Sequence, residues 1–363
     1  MSQTFFQRNL RAPLVVFLTA GIALAGLLGW VQRQWQTPLQ IAETTFYSVP
    51  SGTVIGKIEA DLVADYGMSP RWFGLYVRLL GLHNIKAGEY LLQPGDTPRA
   101  VVEKLNKGEV VSFQITFPEG WTLRQWLAHL HTYERIANTL EGKSDAEIIA
   151  ALGLSLNHLE GWFFPDTYHF GSGESDVDIL RRAYLKMAKV LDEEWQNRQS
   201  GLPINSPYEA LILASIVEKE TGVAAERQTI AGVFVRRLVK GMRLQTDPTV
   251  IYGLGADYRG NITRKHLRQA TPYNTYKIDG LPPTPIAMPG RAAIHAALNP
   301  APGEALFFVA RGDGSHVFSA TLEEHNKAVR NYQMRRVEDY RSSPPPVAEL
   351  PTTEPSPAEK DSQ

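Results

Sequence analysis

The feature that most constrains the fold is a run of eight residues, 210–217, without a charged side chain. A helix formed by this run is apolar almost all round, so other elements must enclose it. Before the run, Ser206, Pro207 and Glu209 combine a cap residue, a first-turn proline and a capping-box glutamate. We therefore predict a buried helix over residues 210–221, ending at Gly222.

Two acids, Glu218 and Glu220, close this helix. Glu218 lies four residues after Ala214, on an inward-facing stripe, in the last turn where the helix dipole is negative. Desolvation and the dipole both raise a carboxyl pKa, which suits a general acid. The alternative is that both acids are solvated and pair with Lys219 or Arg227. Periodicity does not choose between the two acids.

Near the N-terminus, residues 13–31 form an uncharged apolar stretch. A helix of about 20 such residues spans a bilayer. Arg8 and Arg11 precede the stretch and Arg33 follows it, which favours a cytoplasmic N-terminus at residues 1–12. We predict one transmembrane anchor, with the remainder of the chain outside the cytoplasm.

The ends of this stretch refine the prediction. Trp30 and Trp35 lie where an aromatic belt at the membrane surface is expected. Residues 23–25 resemble a signal-peptidase site, but the apolar run continues to Val31, which favours an uncleaved anchor.

Three Pro/Gly turns precede Thr53, Thr97 and Thr122, each after a β-rich run and before a helical pattern. A threonine hydroxyl in this position caps the first free N–H groups of a helix. The repeated strand–turn–helix pattern predicts a small α/β module over residues 47–110, joined to the anchor by a linker over residues 32–46.

The following region, residues 111–340, is predicted to be a mixed α+β domain. Helices are expected to start at Ser144 and Ser175, and a hairpin is expected around residues 311–315. Residues 253–302 lack a clear period and are expected to be irregular backbone. The proline-rich tail, residues 341–363, has no apolar face to bury and is predicted to be disordered.

Composition excludes several functions. The 37 Lys and Arg balance 38 Asp and Glu, for a net charge of -1, so nucleic-acid binding is not expected. The chain has no cysteine, and His129 with His131 is too little for a metal site. We therefore predict no metal and no cofactor. Arg236 and Arg237 are expected to be solvated helix charges.

Several motifs occur in an order that resembles one enzyme family. They are residues 159–168, 214–221, 242–253, 273–276 and 280–286, and residues 86–90 fit as well. Together they resemble the endolytic murein transglycosylase (MltG/YceG-like) family over roughly residues 47–340. One departure is Met288, where an Asn or Thr is expected before Pro289 and Gly290.

The resemblance implies a function and an architecture. It implies a lyase anchored in the cytoplasmic (inner) membrane, with a LysM-like module over residues 47–110 and a periplasmic catalytic domain over residues 111–340. Its catalytic acid would be Glu218. It would cut the MurNAc–GlcNAc β-1,4 bond of nascent peptidoglycan, leave 1,6-anhydroMurNAc ends, limit glycan strand length and associate with cell-wall synthesis proteins.

Several side chains in these motifs have the chemistry to contact sugars. Glu160, Gln245, Asp247, Asn274 and Tyr276 offer polar groups. Flat faces for sugar rings are offered by Trp162, Phe163, Tyr168 and Tyr273. Core packing is the alternative for each aromatic residue, and a turn or helix cap is the alternative for Asp247.

Two rival functions stay open from the sequence. If Glu160 or Asp247 lies beside Glu218, a carboxylate pair would favour a hydrolytic muramidase. A peptidoglycan-binding scaffold without activity is the other rival, and the intact Glu218 motif argues against it.

Overall fold

The computed structural model describes residues 3–69, 73–82 and 84–333. The chain divides into two compact units, one reaching Phe113 and the other starting at Gln114. Both units mix helices with small two-stranded sheets, so the predicted α+β class is confirmed. The predicted disordered tail lies outside the described residues.

The first unit is built around one antiparallel strand pair in which Tyr47 faces Tyr90. Its elements are α1 (Gln3–Gln36), β1 (Thr45–Val49), α2 (Ile55–Tyr66), α3 (Phe73–Leu79), β2 (Gly88–Leu92) and α4 (Pro98–Lys107). The buried Tyr90 hydroxyl donates to the Lys86 and Leu105 carbonyls, which ties the pair to the end of α4.

Helix α1 contains the stretch predicted to cross a membrane. From Phe17 onward its large apolar side chains are mostly exposed, whereas Trp35 is buried against Phe73 with ring centroids 5.4 Å apart. Trp35 therefore belongs to the core of this unit rather than to an aromatic belt. No helix in the described ranges is both long and apolar enough to cross a bilayer. Of the stretch predicted to be the anchor, residues 13–16 are described in their backbone and not in their side chains.

Two of the three predicted threonine caps form. Thr97 accepts a hydrogen bond from the Ala100 N–H at the start of α4. Thr122 makes a reciprocal capping box with Gln125. The prediction for Thr53 is wrong: its hydroxyl donates to the Pro50 carbonyl, so α2 begins at Ile55 without a side-chain cap.

The second unit is mostly helical. Its elements are β3 (Phe113–Thr116), α5 (Leu123–Leu130), α6 (Asp145–Leu152), β4 (Thr167–Phe170), α7 (Asp176–Gln196), α8 (Pro207–Glu220), α9 (Arg227–Val239), α10 (Asp247–Leu254), α11 (Arg264–Arg268), α12 (Arg291–Leu298), β5 (Phe307–Ala310), β6 (His316–Ser319) and α13 (Leu322–Tyr332). Strand β3 pairs with β4, and β5 pairs with β6 as the predicted hairpin.

Helix α8 is the centre of this unit, as its composition predicts. It contacts α7, α9, α10 and α12, and every residue from 210 to 217 is buried. The one polar residue of the run, Ser215, donates to the Ile212 carbonyl and accepts from the Ile286 N–H. Its hydroxyl is therefore satisfied inside the core, which removes most of the penalty for burying it.

Both ends of α8 differ slightly from the prediction. Ser206 caps the helix, but Glu209 accepts from the Asn205 N–H rather than completing the capping box. The helix ends at Glu220, because Thr221 is extended with φ -146° and ψ 135°.

Two other sequence-based expectations are wrong. Within the stretch expected to be irregular, α12 is a regular helix whose Ile294 and Leu298 are buried against α8 and its neighbours. Arg237 is 7% exposed rather than solvated, and it donates to the Leu244 and Leu306 carbonyls. A buried guanidinium is tolerated here because backbone oxygens accept its hydrogen bonds.

The enclosure of α8 predicts a large difference between two leucine substitutions. We expect Leu213→Ala to lower the free energy of unfolding by about 2–5 kcal/mol, because it leaves a cavity in the core. Leu185→Ala on α7, whose side chain is 60% exposed, should change it by less than about 0.5 kcal/mol. Urea unfolding of the full chain measures both, and equal effects would contradict a central position for α8.

Candidate active site

The end of α8 meets two loops that are held together by backbone hydrogen bonds. The Gly120 N–H donates to the Met288 carbonyl at 2.8 Å, and the Met288 N–H donates to the Trp121 carbonyl at 2.8 Å. Met288 is also fully buried. The residue that departs from the family pattern is therefore held by two main-chain hydrogen bonds.

Glu218 projects from α8 toward this pair of loops. The Gly290 N–H donates to Glu218 Oε2 at 3.0 Å. In the described parts of the chain no donor lies at hydrogen-bond distance from Oε1, so this oxygen is the one able to carry a proton to a ligand.

Burial, and then the charge of Glu119, raise the pKa of the Glu218 carboxyl to about 6. The Gly290 N–H and the cations Arg227 and Lys219 oppose this rise in the pKa. A carboxyl with a pKa near 6 keeps a large protonated fraction in mildly acidic solution, as a general acid requires.

Glu119 is the site residue that the sequence interpretation missed. A Cβ on Gly290 would lie 1.7 Å from Glu119 Oε1, so a side chain at position 290 would displace the Glu119 carboxylate from this place. On its other side, Glu119 Oε2 lies 3.9 Å from Arg227 Nη2. The Pro118–Glu119–Gly120 turn was visible in the sequence, but it indicated a helix start rather than an acidic group.

Glu220 faces a different environment from Glu218. The Thr246 hydroxyl donates to Glu220 Oε1, and the charge of Asp247 raises the pKa of Glu220. Burial, opposed by the Thr246 hydrogen bond, raises the pKa of Glu220 to about 7. The structure therefore separates the two acids that periodicity left equivalent.

Three of the predicted sugar-binding residues lie together on the Glu220 side. The Tyr276 hydroxyl donates to Asp247 Oδ1 at 2.7 Å, and Arg237 Nη1 donates to Gln245 Oε1 at 3.4 Å. Among the described non-glycine residues, Gln245 is the one with a positive φ, at 51°. Such a backbone is uncommon for a side-chain-bearing residue and frequently occurs at functional sites.

Glu160 is buried, and both its oxygens accept hydrogen bonds. Its Oε1 accepts from the Leu123 N–H at 3.0 Å and its Oε2 from the Tyr252 hydroxyl at 3.1 Å. Burial raises its pKa to about 7. Glu160 influences Lys219 electrostatically, but the carboxylate beside Glu218 is Glu119 rather than Glu160 or Asp247.

Tyr168 and Asn274, the other predicted binding residues, use their polar atoms on backbone groups. The Tyr168 hydroxyl donates to the Phe164 carbonyl at 2.5 Å. Asn274 Nδ2 donates to the Gln269 carbonyl at 2.6 Å, and its Oδ1 accepts from the Tyr276 N–H. These contacts hold β4 and the loop before Tyr276, and a role in sugar binding stays a prediction.

The remaining predicted sugar-stacking aromatics pack mainly against protein. Phe163 is fully buried, and Trp162 stacks on Tyr208 with an interplanar angle of 11°. The Tyr273 hydroxyl is hydrogen-bonded to Thr284 Oγ1 at 2.8 Å. Core packing, the alternative open from the sequence, therefore accounts for these contacts.

A cleft of about 710 Å³ adjoins the Glu218 site. Glu119 and Arg227 form part of its wall, and Arg291 follows Gly290 into it. Across the described ranges, no group of three or more His, Asp and Glu side chains is placed to hold a metal ion.

Comparisons with known proteins agree on the family. The model of the YceG-like family matches residues 47–331. The endolytic murein transglycosylase of Bacillus subtilis is 33% identical over 324 residues, covering 84% of this chain and 88% of that protein. The Streptococcus pneumoniae protein of the same name is 27% identical over 322 residues, covering 78% of this chain and 57% of that protein.

Among solved structures, the 2.6 Å crystal structure of a YceG-like protein from Listeria monocytogenes is 34% identical, with a TM-score of 0.47. The match covers 78% of this chain and 99% of that one. From the extent of the family match and the identity to the Bacillus subtilis protein, we conclude that this chain belongs to the YceG-like family.

Proposed function

We propose that this protein is an endolytic lytic transglycosylase that cleaves the MurNAc–GlcNAc β-1,4 bond of peptidoglycan. The relatives that carry the name endolytic murein transglycosylase support this function. The observation that carries the chemistry is the Glu218 carboxyl, whose pKa is about 6 and whose Oε1 is unoccupied by described donors.

One acid–base group is enough for this reaction. Glu218 donates its proton to the glycosidic oxygen as the bond from C1 of the muramyl residue to that oxygen breaks. The C6 hydroxyl oxygen of the same residue then bonds to C1, and its proton passes to the Glu218 carboxylate. No water is consumed, the acid is regenerated, and the attacking hydroxyl benefits from being part of the same sugar.

The geometry around Glu218 supports both halves of this cycle. The Gly290 N–H holds Oε2 and stabilises the carboxylate that forms after proton transfer. Glu119 has the opposite influence, favouring the protonated form before transfer. A negative Glu119 also stabilises positive charge that develops at C1 as the glycosidic bond breaks.

Glu119 also favours a second candidate function. A carboxylate beside an acid is the arrangement of hydrolytic glycosidases, in which the second group activates water or attacks C1. In a muramidase, Glu119 would take that role. The two functions differ in the product, because hydrolysis adds a water to the end that transglycosylation leaves as an anhydro sugar.

The assignment of Glu218 predicts a clear split between the two acids of α8. We expect Glu218→Gln to lower the cleavage rate by about 10²–10⁴, the contribution of a general acid. Glu220→Gln should stay within about tenfold of the parent rate. Mass spectrometry of the glycan ends measures the cleavage rates of both variants. It also identifies the reaction, because ends lighter by one water than hydrolysed ends support transglycosylation.

Other outcomes of the same experiment exclude parts of the proposal. Hydrated ends would establish a muramidase, and binding without any cleavage would establish a scaffold. Full activity in the Glu218→Gln variant, checked for folding by circular dichroism, would contradict the assignment of the acid.

The raised pKa of Glu218 predicts a pH profile. The reaction begins with the protonated acid, so kcat/KM, which reports ionisations of the free enzyme, should fall as the pH rises through about 6. The charged groups that influence Glu218 are Glu119, Arg227 and Lys219. Glu119→Gln removes a negative charge that favours the proton, so the pKa falls and the alkaline limb of the profile moves to lower pH.

Glu323→Gln, which changes an exposed acid on α13, is the matched control and should leave that limb unchanged. An unchanged limb in Glu119→Gln would show that Glu119 does not act on the Glu218 proton.

We further propose that residues 13–31 anchor the enzyme in the cytoplasmic membrane, with the catalytic region on the periplasmic side. Exposed apolar side chains on α1, such as Phe17 and Leu18, support this, as does the arginine distribution. In the same proposal, residues 47–110 form a LysM-like module, and cell-wall synthesis proteins are partners.

Deleting residues 1–31 should release the protein from membranes in a fractionation experiment, whereas retention on the membrane would contradict the anchor.

A further inference from the structure

The cleft beside Glu218 is lined by charged groups of both signs. Glu119, Asp166 and Glu194 contribute carboxylates, and Arg227 and Arg291 contribute guanidinium groups. The cleft is open to solvent and has a volume of about 710 Å³.

Most of these charges are already paired within the protein. Arg291 Nη1 donates to Glu194 Oε1 at 2.9 Å, and His295 Nδ1 lies 2.8 Å from Glu194 Oε2. Asp166 is paired with Lys186. These hydrogen bonds and ion pairs hold the charged side chains of the cleft wall in place.

Arg227 is different. Its Nε is buried and has no hydrogen-bond partner in the part of the chain that the structure describes. Its Nη2 is 3.9 Å from Glu119 Oε2, too far for a hydrogen bond. Because Nε has almost no exposed surface, a ligand in the cleft would meet the Nη atoms of this guanidinium. Guanidinium donors in native proteins nearly always have an acceptor, and no described residue accepts a hydrogen bond from these Nη atoms, so we infer that a ligand supplies it.

Arg227 also connects this cleft to the reacting acid. The positive charge of Arg227 lowers the pKa of Glu218. One oxygen of Glu119 lies 3.9 Å from Arg227, and the other lies against Gly290, whose N–H is hydrogen-bonded to Glu218. A ligand group bound by Arg227 therefore belongs to a sugar at or next to the bond that Glu218 protonates.

We propose that this cleft binds the peptide stem of the muramyl residue beside the scissile bond, with Arg227 donating to a carboxylate or carbonyl oxygen of the stem. This inference rests on the proposed function, which makes peptidoglycan the substrate. The stem is the part of that polymer that carries charge and peptide carbonyls. A guanidinium group binds a carboxylate through bidentate hydrogen bonds, which a lysine ammonium group cannot form.

Binding, measured without catalysis, tests this proposal. In the full chain carrying Glu218→Gln, we compare the Kd for short glycan strands with intact stems and for the same strands after an amidase has removed the stems. Stem-bearing strands should bind at least about tenfold more tightly, a difference expected from one charge-assisted hydrogen bond. Adding Arg227→Ala should abolish most of this preference and leave the Kd for stem-free strands within about twofold.

Two further variants make the result specific. Arg227→Lys keeps the charge without the planar guanidinium and should recover only part of the preference. Arg124→Ala removes an exposed arginine on α5 that does not line the cleft, and should bind both strands like its parent. Thermal unfolding of each variant identifies any loss of folding.

Equal Kd values for the two strands in the parent, or an equal loss for both strands in Arg227→Ala, would overturn the stem-binding proposal. The second result would instead place Arg227 against the sugar itself. Neither result bears on cleavage, whereas failure of the folded, unsubstituted enzyme to cut either strand would refute the proposed activity while leaving the binding comparison valid.

Discussion

Enclosing α8 on all sides is the constraint on which the rest of the site depends. Because α7, α9, α10 and α12 surround the apolar run, the helix cannot shift without opening the core, and its last turn is fixed relative to the loops that it meets. Glu218 is thereby held in a poorly hydrated position beside one backbone N–H. Packing at the centre of the unit thus sets both the position and the proton affinity of the reacting group.

The spacing of the two acids on this helix separates two chemical environments. Residues two apart on a helix lie on nearly opposite sides, so Glu218 meets Gly290 and Glu119 whereas Glu220 meets Thr246. Gln245, Asp247 and Tyr276 accompany Glu220. The polar motifs of the family are therefore distributed on both sides of the helix end, and those on the Glu220 side support the loop geometry through their own hydrogen bonds.

Sequence-based prediction succeeded where the interactions are local and failed where distant partners decide the outcome. The caps at Thr97 and Thr122 were predictable because donor and acceptor lie three residues apart. Helix α12 was missed because its small apolar residues lie in a region rich in Pro and Gly, and burial against α8 stabilises it. Arg237 was expected in solvent, but carbonyls from distant loops accept its hydrogen bonds.

The sequence by itself determined that a buried helix ends in two acids and that the chain carries the motifs of the YceG-like family, because helix periodicity, capping and motif order are properties of the linear chain. It could not choose Glu218 over Glu220 on physical grounds. Only the tertiary structure brought Glu119 and Gly290 to one acid and placed the Arg227 guanidinium, which has no hydrogen-bond partner among the described residues, in the wall of a cleft. These contacts join residues about 70 to 170 positions apart, and only packing determines which distant groups meet.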